Sequence, residues 1–259
     1  MILASLPCST PAEHLALDEA LLDYCEAQPG HPGFMRFWEP TIPFVALGYS
    51  KLLRKEVHEE FCSAKEIPIL RRCSGGGTVL QAPGCLNYAL VLPIDSRPEL
   101  GSINSTNCFI MKEQAAALRK APLAKGMKIE VHGYSDLTLR VADEPHTRKF
   151  SGNSQRRKRR YLLFHGSFLL NTDLDLIEQA LRAPEQQPEY REQRNHRDFL
   201  INLPMDADSV RDALISHWCP NALPTEAAAN PEATLNEITA RVQTLVQEKY
   251  GREDWNYRF

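Results

Sequence analysis

Strand-like runs in this chain follow one another without an intervening helix. Ile69–Cys73, Gly77–Gln81 and Leu86–Leu92 are set apart only by Ser74-Gly75-Gly76 and Pro83-Gly84. Lys128–His132 and Leu137–Ala142 flank Gly133, and Arg148–Asn153 is followed by Tyr161–Leu170. Two shorter runs, Met35–Trp38 and Phe44–Gly48, are separated by Pro40 and Pro43. A parallel pair needs a crossover of a dozen or more residues, whereas strands joined by short turns pair antiparallel. The spacing therefore predicts an α+β fold with a mixed, largely antiparallel sheet flanked by helices, and not a doubly wound parallel sheet.

The flanking helices carry their own signals. Thr10, Pro11 and Glu13 form a capping box with proline at the first helical position, ahead of Leu15, Leu17, Ala20, Leu21 and Leu22. Asn104–Asn107 opens a second helix through Ile110, Ala117 and Leu118. Leu174, Ile177 and Leu181 share one helical face, as do Leu235, Ile238, Val242 and Leu245, with Gly251 as a stop. Pro184–Asn202 is polar and reads as a loop, and the aromatic end Asp254–Phe259 is expected to pack back on the body. The 259 residues, with no repeat and no low-complexity linker, read as a single domain spanning 1–259.

Composition excludes several classes. A net charge of −3 leaves no global basic field for nucleic acid or a membrane surface. The chain has no apolar run of the ~18–20 residues that span a bilayer, and no basic leader, so cytoplasmic residence is expected. The seven cysteines are odd in number and scattered, with no CxxC pair, and read as free thiols rather than a disulfide frame or zinc site.

Three stretches carry chemistry. In Arg71-Arg72-Cys73-Ser74-Gly75-Gly76-Gly77-Thr78-Val79, three glycines open the main chain to a phosphate, a carboxylate or an acyl tail, and two arginines stand ready for an anion. The run is neither a Walker A loop nor G-x-G-x-x-G, and a plain glycine turn with exposed arginines is the other reading. In Arg148-Lys149-Phe150-Ser151-Gly152-Asn153-Ser154-Gln155, a strand lysine beside small polar residues places an ammonium over a carbonyl or phosphate; the bland reading is a surface lysine. In Phe164-His165-Gly166-Ser167, the histidine is a general base, a ligand donor or a satisfied core residue. The run Arg156–Arg160 is either a solvated turn or a dock for an acidic partner.

In combination and in this order, R-R-x-S-G-G-G-x-V, Gly84-x-Leu86-Asn87-Tyr88, Lys149-x-Ser151-Gly152-Asn153-Ser154-Gln155 and His165-Gly166-Ser167-Phe168-Leu169-Leu170 resemble the lipoate–protein ligase A family of the biotin/lipoate ligase and octanoyltransferase superfamily. Leu15-Ala16-Leu17-Asp18-Glu19 and Gly133-Tyr134-Ser135-Asp136-Leu137 support it, and the likeness spans roughly residues 5–259. The resemblance implies a sheet core akin to class II aminoacyl-tRNA synthetases and biotin ligases. It implies that lipoate or octanoate is activated by ATP, with Mg²⁺, to an acyl-adenylate. The acyl group would then pass to a lysine of an acceptor lipoyl domain, on a 2-oxoacid dehydrogenase, a glycine-cleavage carrier or a similar protein. It implies no tightly bound prosthetic group and no protein metal site beyond Mg²⁺ brought by ATP.

Carried over residue by residue, the resemblance makes Lys149 the catalytic point charge on the acyl carbonyl and α-phosphate. Arg72 would pair with adenylate or carboxylate oxygens, and Ser74, Gly75, Gly76 and Gly77 would wall the acyl-adenylate. Thr78 and Asn87 would give neutral hydrogen bonds, and Asp136 would accept from the incoming lysine or help hold Mg²⁺. Ser151, Gly152, His165 and Gly166 would complete the pocket floor. Three departures stand out, one of them Cys73 inside the glycine motif, read as filling a strand pocket. The longer ligases continue into an accessory domain that is not expected here, which makes a separate accessory chain a candidate partner. Cys85 stands where many relatives have Asn, which raises an ATP-free octanoyl transfer through a thioester at Cys85; the other reading of Cys85 is a small buried hydrophobe. Val131–Arg148, where the amidotransferase branches place their cysteine, has none. A non-catalytic lipoyl-binding protein is the third alternative.

Overall fold

A computed structural model of the protein describes residues 1–122, 125–141, 144–220, 223–224 and 231–259. The strands are β1 (Ile2–Ala4), β2 (Phe34–Trp38), β3 (Phe44–Leu47), β4 (Ile69–Arg71), β5 (Val79–Gln81), β6 (Cys85–Pro93), β7 (Lys128–His132), β8 (Asp136–Arg140), β9 (Thr147–Arg157), β10 (Tyr161–Leu169) and β11 (Leu223–Pro224). The main sheet runs β11-β1-β2-β6-β10-β9-β8-β7. Its pairings from β2 through β7 are antiparallel, and β1 lies parallel to both β2 and β11. A second sheet, β4-β3-β5, carries the glycine-rich stretch between β4 and β5. The expected mixed, largely antiparallel sheet is what forms. Strand β1 carries no sequence signal, and Ala142, the expected end of the Leu137 strand, lies outside the described residues.

The helices are α1 (Pro11–Ala27), α2 (Leu53–Glu56), α3 (Glu59–Ala64), α4 (Ile103–Lys120), α5 (Leu174–Ala180), α6 (His196–Phe199), α7 (Ala207–Trp218), α8 (Pro231–Leu245) and α9 (Glu253–Asn256). The capping box is present at α1: Glu13 N–H donates to Thr10 Oγ1 at 3.2 Å and Thr10 N–H to Glu13 Oε2 at 3.0 Å. Strand β6 is buried on both faces, which is why it reads as a near-continuous apolar run. Leu86, Tyr88, Leu90 and Leu92 pack with Ile110, Met111 and Leu118 of α4 and Val210 and Leu214 of α7. Ala89 and Val91 face the other way, against Leu17 and Leu21 of α1 and Ile238 and Val242 of α8. Among the described residues no helix is long and apolar enough to cross a membrane.

Part of the basic run is held by the protein's own flanks. Lys158 Nζ pairs with Asp23 Oδ1 at 2.6 Å, and the Arg160 backbone N–H donates to Glu26 Oε2 at 3.0 Å, both acids on α1. Arg157 donates to Leu100 O and Thr106 Oγ1, and Arg156 lies over the Tyr49 ring. These contacts tie the β9–β10 hairpin to its own flanks, while Arg156, Arg159 and Arg160 stay exposed.

The aromatic end packs back as expected, onto Arg71. Arg71 is fully buried and its Nη1 donates to Gly48 O at 2.9 Å and Lys51 O at 2.8 Å, while Nη2 donates to Asn256 O at 3.0 Å. Trp255 Nε1–H donates back to Arg71 O at 2.8 Å. Asn256 accepts from Arg71 N–H at 2.9 Å and donates to Tyr250 O at 3.0 Å. Truncating Asn256 leaves both buried backbone groups without partners, each costing about 1–3 kcal/mol. Asn256→Ala should therefore lower the unfolding free energy by about 2–4 kcal/mol in urea denaturation; a loss under 0.5 kcal/mol would show that this tail does not brace the sheet.

Candidate active site

A cleft of about 560 Å³ opens between the two sheets and the segment that follows α5. Gly75, Gly76, Gly77, Thr78, Asn87, Asp136, Lys149, Ser151, Gly152, His165 and Gly166 all line it, so the three sequence stretches meet in one place. Arg72 lines it too, whereas Ser74 lies just behind, fully buried.

The glycine stretch is held from within. Arg72 donates through Nη2 to Gly75 O and Gly77 O, both at 2.6 Å, through Nη1 to Ala46 O at 2.9 Å, and through Nε to Ser74 Oγ at 3.0 Å. Most of its donors are thus spent on the loop, so Arg72 acts first as a clamp and not as the ligand-pairing group the resemblance implies. Burial pulls its pKa down to about 10, still protonated at neutral pH. Gly76 takes φ of +82°, a conformation that side chains other than glycine rarely adopt.

Behind the loop runs a buried polar chain. Asp18 of α1 accepts from Arg36 Nη1 at 2.6 Å and from His165 Nδ1 at 2.9 Å. With the Nδ1 proton given to Asp18, Nε2 of the neutral ring accepts from the Ser74 hydroxyl, 2.6 Å away, while Ser74 Oγ itself accepts from Arg72. Burial works to raise the Asp18 pKa, but the His165 hydrogen bond and the Arg36 charge outweigh it and hold the carboxyl below its usual range. His165 thus lines the cleft with both ring nitrogens engaged within the protein. Asp18 was quoted in the sequence motif without a role; its signal is an acid set among Leu15, Leu17, Ala20 and Leu21 on a buried helix.

Lys149 owes its position to an irregularity. In regular pairing residues 149 and 152 would point to opposite faces of β9. The β8–β9 register shifts between Leu137 and Thr138, pairing Leu137 with Ser151 but Thr138 with Lys149. That bulge re-aims Lys149 onto the Gly152 side, where its Nζ reaches Asp136 Oδ1 at 2.8 Å. A Cβ on Gly152 would sit 2.8 Å from Lys149 Nζ, so the missing side chain leaves the path for the lysine. The other Asp136 oxygen accepts from the Tyr190 hydroxyl at 2.7 Å. Burial, then the Asp136 charge, push the Tyr190 phenol up, so it stays a donor. Tyr190 lies in the polar Pro184–Asn202 stretch, where no periodicity marks it. That stretch is not structureless: it holds α6 and pairs Ile201 N–H to Lys149 O at 3.0 Å.

Five polar atoms of cleft-lining residues, Trp38 Nε1, Thr78 Oγ1, Gln81 Oε1, Asn87 Nδ2 and Arg191 Nη2, are buried with no hydrogen-bond partner among the described residues. Buried polar groups are normally satisfied, so these atoms are free to hydrogen-bond a polar ligand or water in the cleft. Cys85 is not in the cleft. It is fully buried among Val45, Leu80 and Leu169, its Sγ lies 3.2 Å from Thr172 Oγ1, and burial pushes its thiol pKa up. None of the seven cysteines lines the cleft.

The profile of the lipoyl protein ligase A/B catalytic domain matches residues 10–217. Octanoyltransferase LipM of Halalkalibacterium halodurans is 23% identical over 96% of this chain and 95% of its own length. Lipoate–protein ligase A subunit 1 of Thermoplasma acidophilum is 26% identical over 93% of this chain and 90% of its own. The solved bipartite lipoate protein ligase of T. acidophilum, described with its E2 lipoyl domain, superposes with a TM-score of 0.75 at 22% identity, covering 99% of this chain and 95% of that one. With a matched profile that takes in the glycine loop, the Lys149 strand and His165 alike, the chain belongs to the lipoyl protein ligase A/B catalytic-domain family.

Proposed function

We propose that the protein is a lipoate–protein ligase that activates lipoate or octanoate with ATP and passes the acyl group to a lysine of a lipoyl domain. The observation that carries this reading is a cleft lined by the paired Lys149 and Asp136 and by no cysteine. Acyl transfer through an enzyme thioester needs an accessible thiolate; activation as an adenylate needs a cation and a shielded slot.

In this scheme Lys149 exchanges Asp136 for the α-phosphate and acyl oxygens and neutralises the charge that develops there. The substrate carboxylate oxygen bonds to the α-phosphorus as the bond to pyrophosphate breaks. Asp136, released from Lys149 and steered by Tyr190, takes a proton from the acceptor amine as that nitrogen bonds to the acyl carbon and AMP leaves. Thr78, Gln81 and Asn87 supply neutral hydrogen bonds, and Gly75–Gly77 bring bare main chain against the ligand. Among the described residues no group of three or more His, Cys, Asp or Glu gathers to cage a metal; Mg²⁺ would ride on the phosphates, its usual mode. We place the reaction in the cytoplasm, with a lipoyl domain as partner, in line with the archaeal relative described with its E2 lipoyl domain.

A second reading, ATP-free octanoyl transfer, is favoured by the relatives named octanoyltransferase. It requires Cys85 to leave its buried contact with Thr172.

Two measurements test the proposal. Lipoate-dependent ATP–pyrophosphate exchange should be present in the wild type, fall about 10²–10³-fold in Lys149→Ala and persist in Cys85→Ala. Absent exchange, together with acyl-carrier-dependent transfer lost in Cys85→Ala, would establish the second reading instead. Gly152→Ala should fold with a melting temperature close to wild type, because the clash falls on the movable end of a lysine, yet lose about 10²-fold in ligation through a displaced Nζ. Full ligation in that variant would detach Lys149 from its assigned place.

A further inference from the structure

Arg191 is a cation the scheme above does not use. It lies in the short turn Glu189–Arg191, is 4% exposed, and lines the cleft. Its Nε–H donates to Arg194 O at 2.9 Å, and its guanidinium lies over the Phe199 ring at 4.7 Å. Its Nη2 is buried with no hydrogen-bond partner among the described residues. A guanidinium fixed on two sides, desolvated and left with an unused edge is expensive unless an anion completes it. The acids in the cleft are already engaged: Asp18 with Arg36 and His165, Asp136 with Lys149 and Tyr190, Glu56 with Lys51 at 3.0 Å. Glu178, the carboxylate whose charge acts most strongly on Arg191, accepts from the His196 and Arg197 backbone N–H groups at 2.6 and 3.2 Å, and no carboxylate among the described residues hydrogen-bonds Nη2.

The position suggests which anion. Arg191 follows Tyr190, which holds Asp136, and its charge is felt at His196 together with that of Lys149. His196 is held neutral, its pKa brought down to about 4 by burial and then by Arg191, so it adds no charge of its own. A ligand with one phosphate at Lys149 and further phosphates beyond it would need a second, forked cation close by. The planar Arg fork suits phosphate oxygens.

We infer that Arg191 forms a second anion subsite of the cleft, which takes the pyrophosphoryl end of the nucleoside triphosphate and holds it as it leaves. The choice of ligand rests on the ligase reading. A phosphodiester on the pantetheine arm of an acyl-carrier donor offers the same chemistry, but carries its phosphate at the far end of the arm from the acyl carbon, away from Lys149.

Magnesium pyrophosphate and AMP are titrated separately into the wild type, Arg191→Gln and Arg191→Lys by calorimetry, with melting temperatures recorded. Pyrophosphate affinity should fall at least tenfold in Arg191→Gln and partly recover in Arg191→Lys, while AMP affinity stays within twofold. KM for ATP should rise in Arg191→Gln, and transfer from preformed lipoyl-adenylate to the acceptor lysine should be unchanged. If Arg191→Gln does not fold, a crystal structure of the wild type with pyrophosphate decides, its oxygens falling on Arg191 Nη2 or elsewhere. Equal pyrophosphate affinity in a folded Arg191→Gln, oxygens placed elsewhere, or Arg191-dependent binding of a phosphopantetheine thioester in place of pyrophosphate each overturns the subsite. Exchange retained at wild-type KM in Arg191→Gln would refute the subsite and leave the ligase reading standing. A wild type that binds pyrophosphate through Arg191 but carries no exchange would uphold the subsite and refute the ligase reading.

Discussion

The hydrogen-bonded chain Arg36–Asp18–His165–Ser74–Arg72 is the interaction on which the rest of the cleft depends. It links β2, α1, β10 and the glycine loop, elements that belong to different layers. Each donor has an acceptor of matching kind, so the charge of Asp18 is held between a guanidinium and an imidazole at almost no exposure to water. Removing one partner from such a buried pair generally costs about 3–5 kcal/mol, because the other charge is stranded. The chain ends on Arg72, whose guanidinium gathers Gly75 O and Gly77 O. The position of the glycine wall is thus set through a buried acid on α1.

The second constraint is the bulge in β9. A regular strand would send Lys149 and Gly152 to opposite faces, one toward α4 and one toward the cleft. The shift at Leu137/Thr138 puts both on the cleft side, leaves Phe150 to the core, and lets Asp136 sit across from Gly152. Rigid strands thereby hold the charged centre, while Tyr190 and Arg191 reach it from a polar segment packed on the edge. Sites built on strands keep their geometry better than sites carried by loops alone.

Much of this was legible in the sequence, for physical reasons. Strand pairs joined by short turns dictated an antiparallel sheet, and the double-sided burial of β6 is written in its apolar run from Leu86 to Leu92. Glycines next to arginines, a lysine among small residues and a histidine before glycine were each ambiguous, and only their combination pointed to one cleft. What stayed hidden depends on distant partners. Nothing local says that Asp18 meets His165, that Arg72 is spent on its own loop, or that Lys158 and Arg160 are answered by Asp23 and Glu26. Tyr190 and Arg191 sit in a segment with no period to read, and the burial of Cys85 follows from how β5, β6 and α5 close over it.

On the ligase reading proposed above, the acyl group is carried as an adenylate and on no enzyme atom. Intact-mass spectrometry of the protein incubated with lipoate and MgATP, without acceptor, tests it most directly. The account predicts unmodified protein under denaturing conditions and a retained lipoyl-adenylate under native conditions. A hydroxylamine-sensitive lipoyl mass on the denatured chain, mapped to a cysteine, would contradict it.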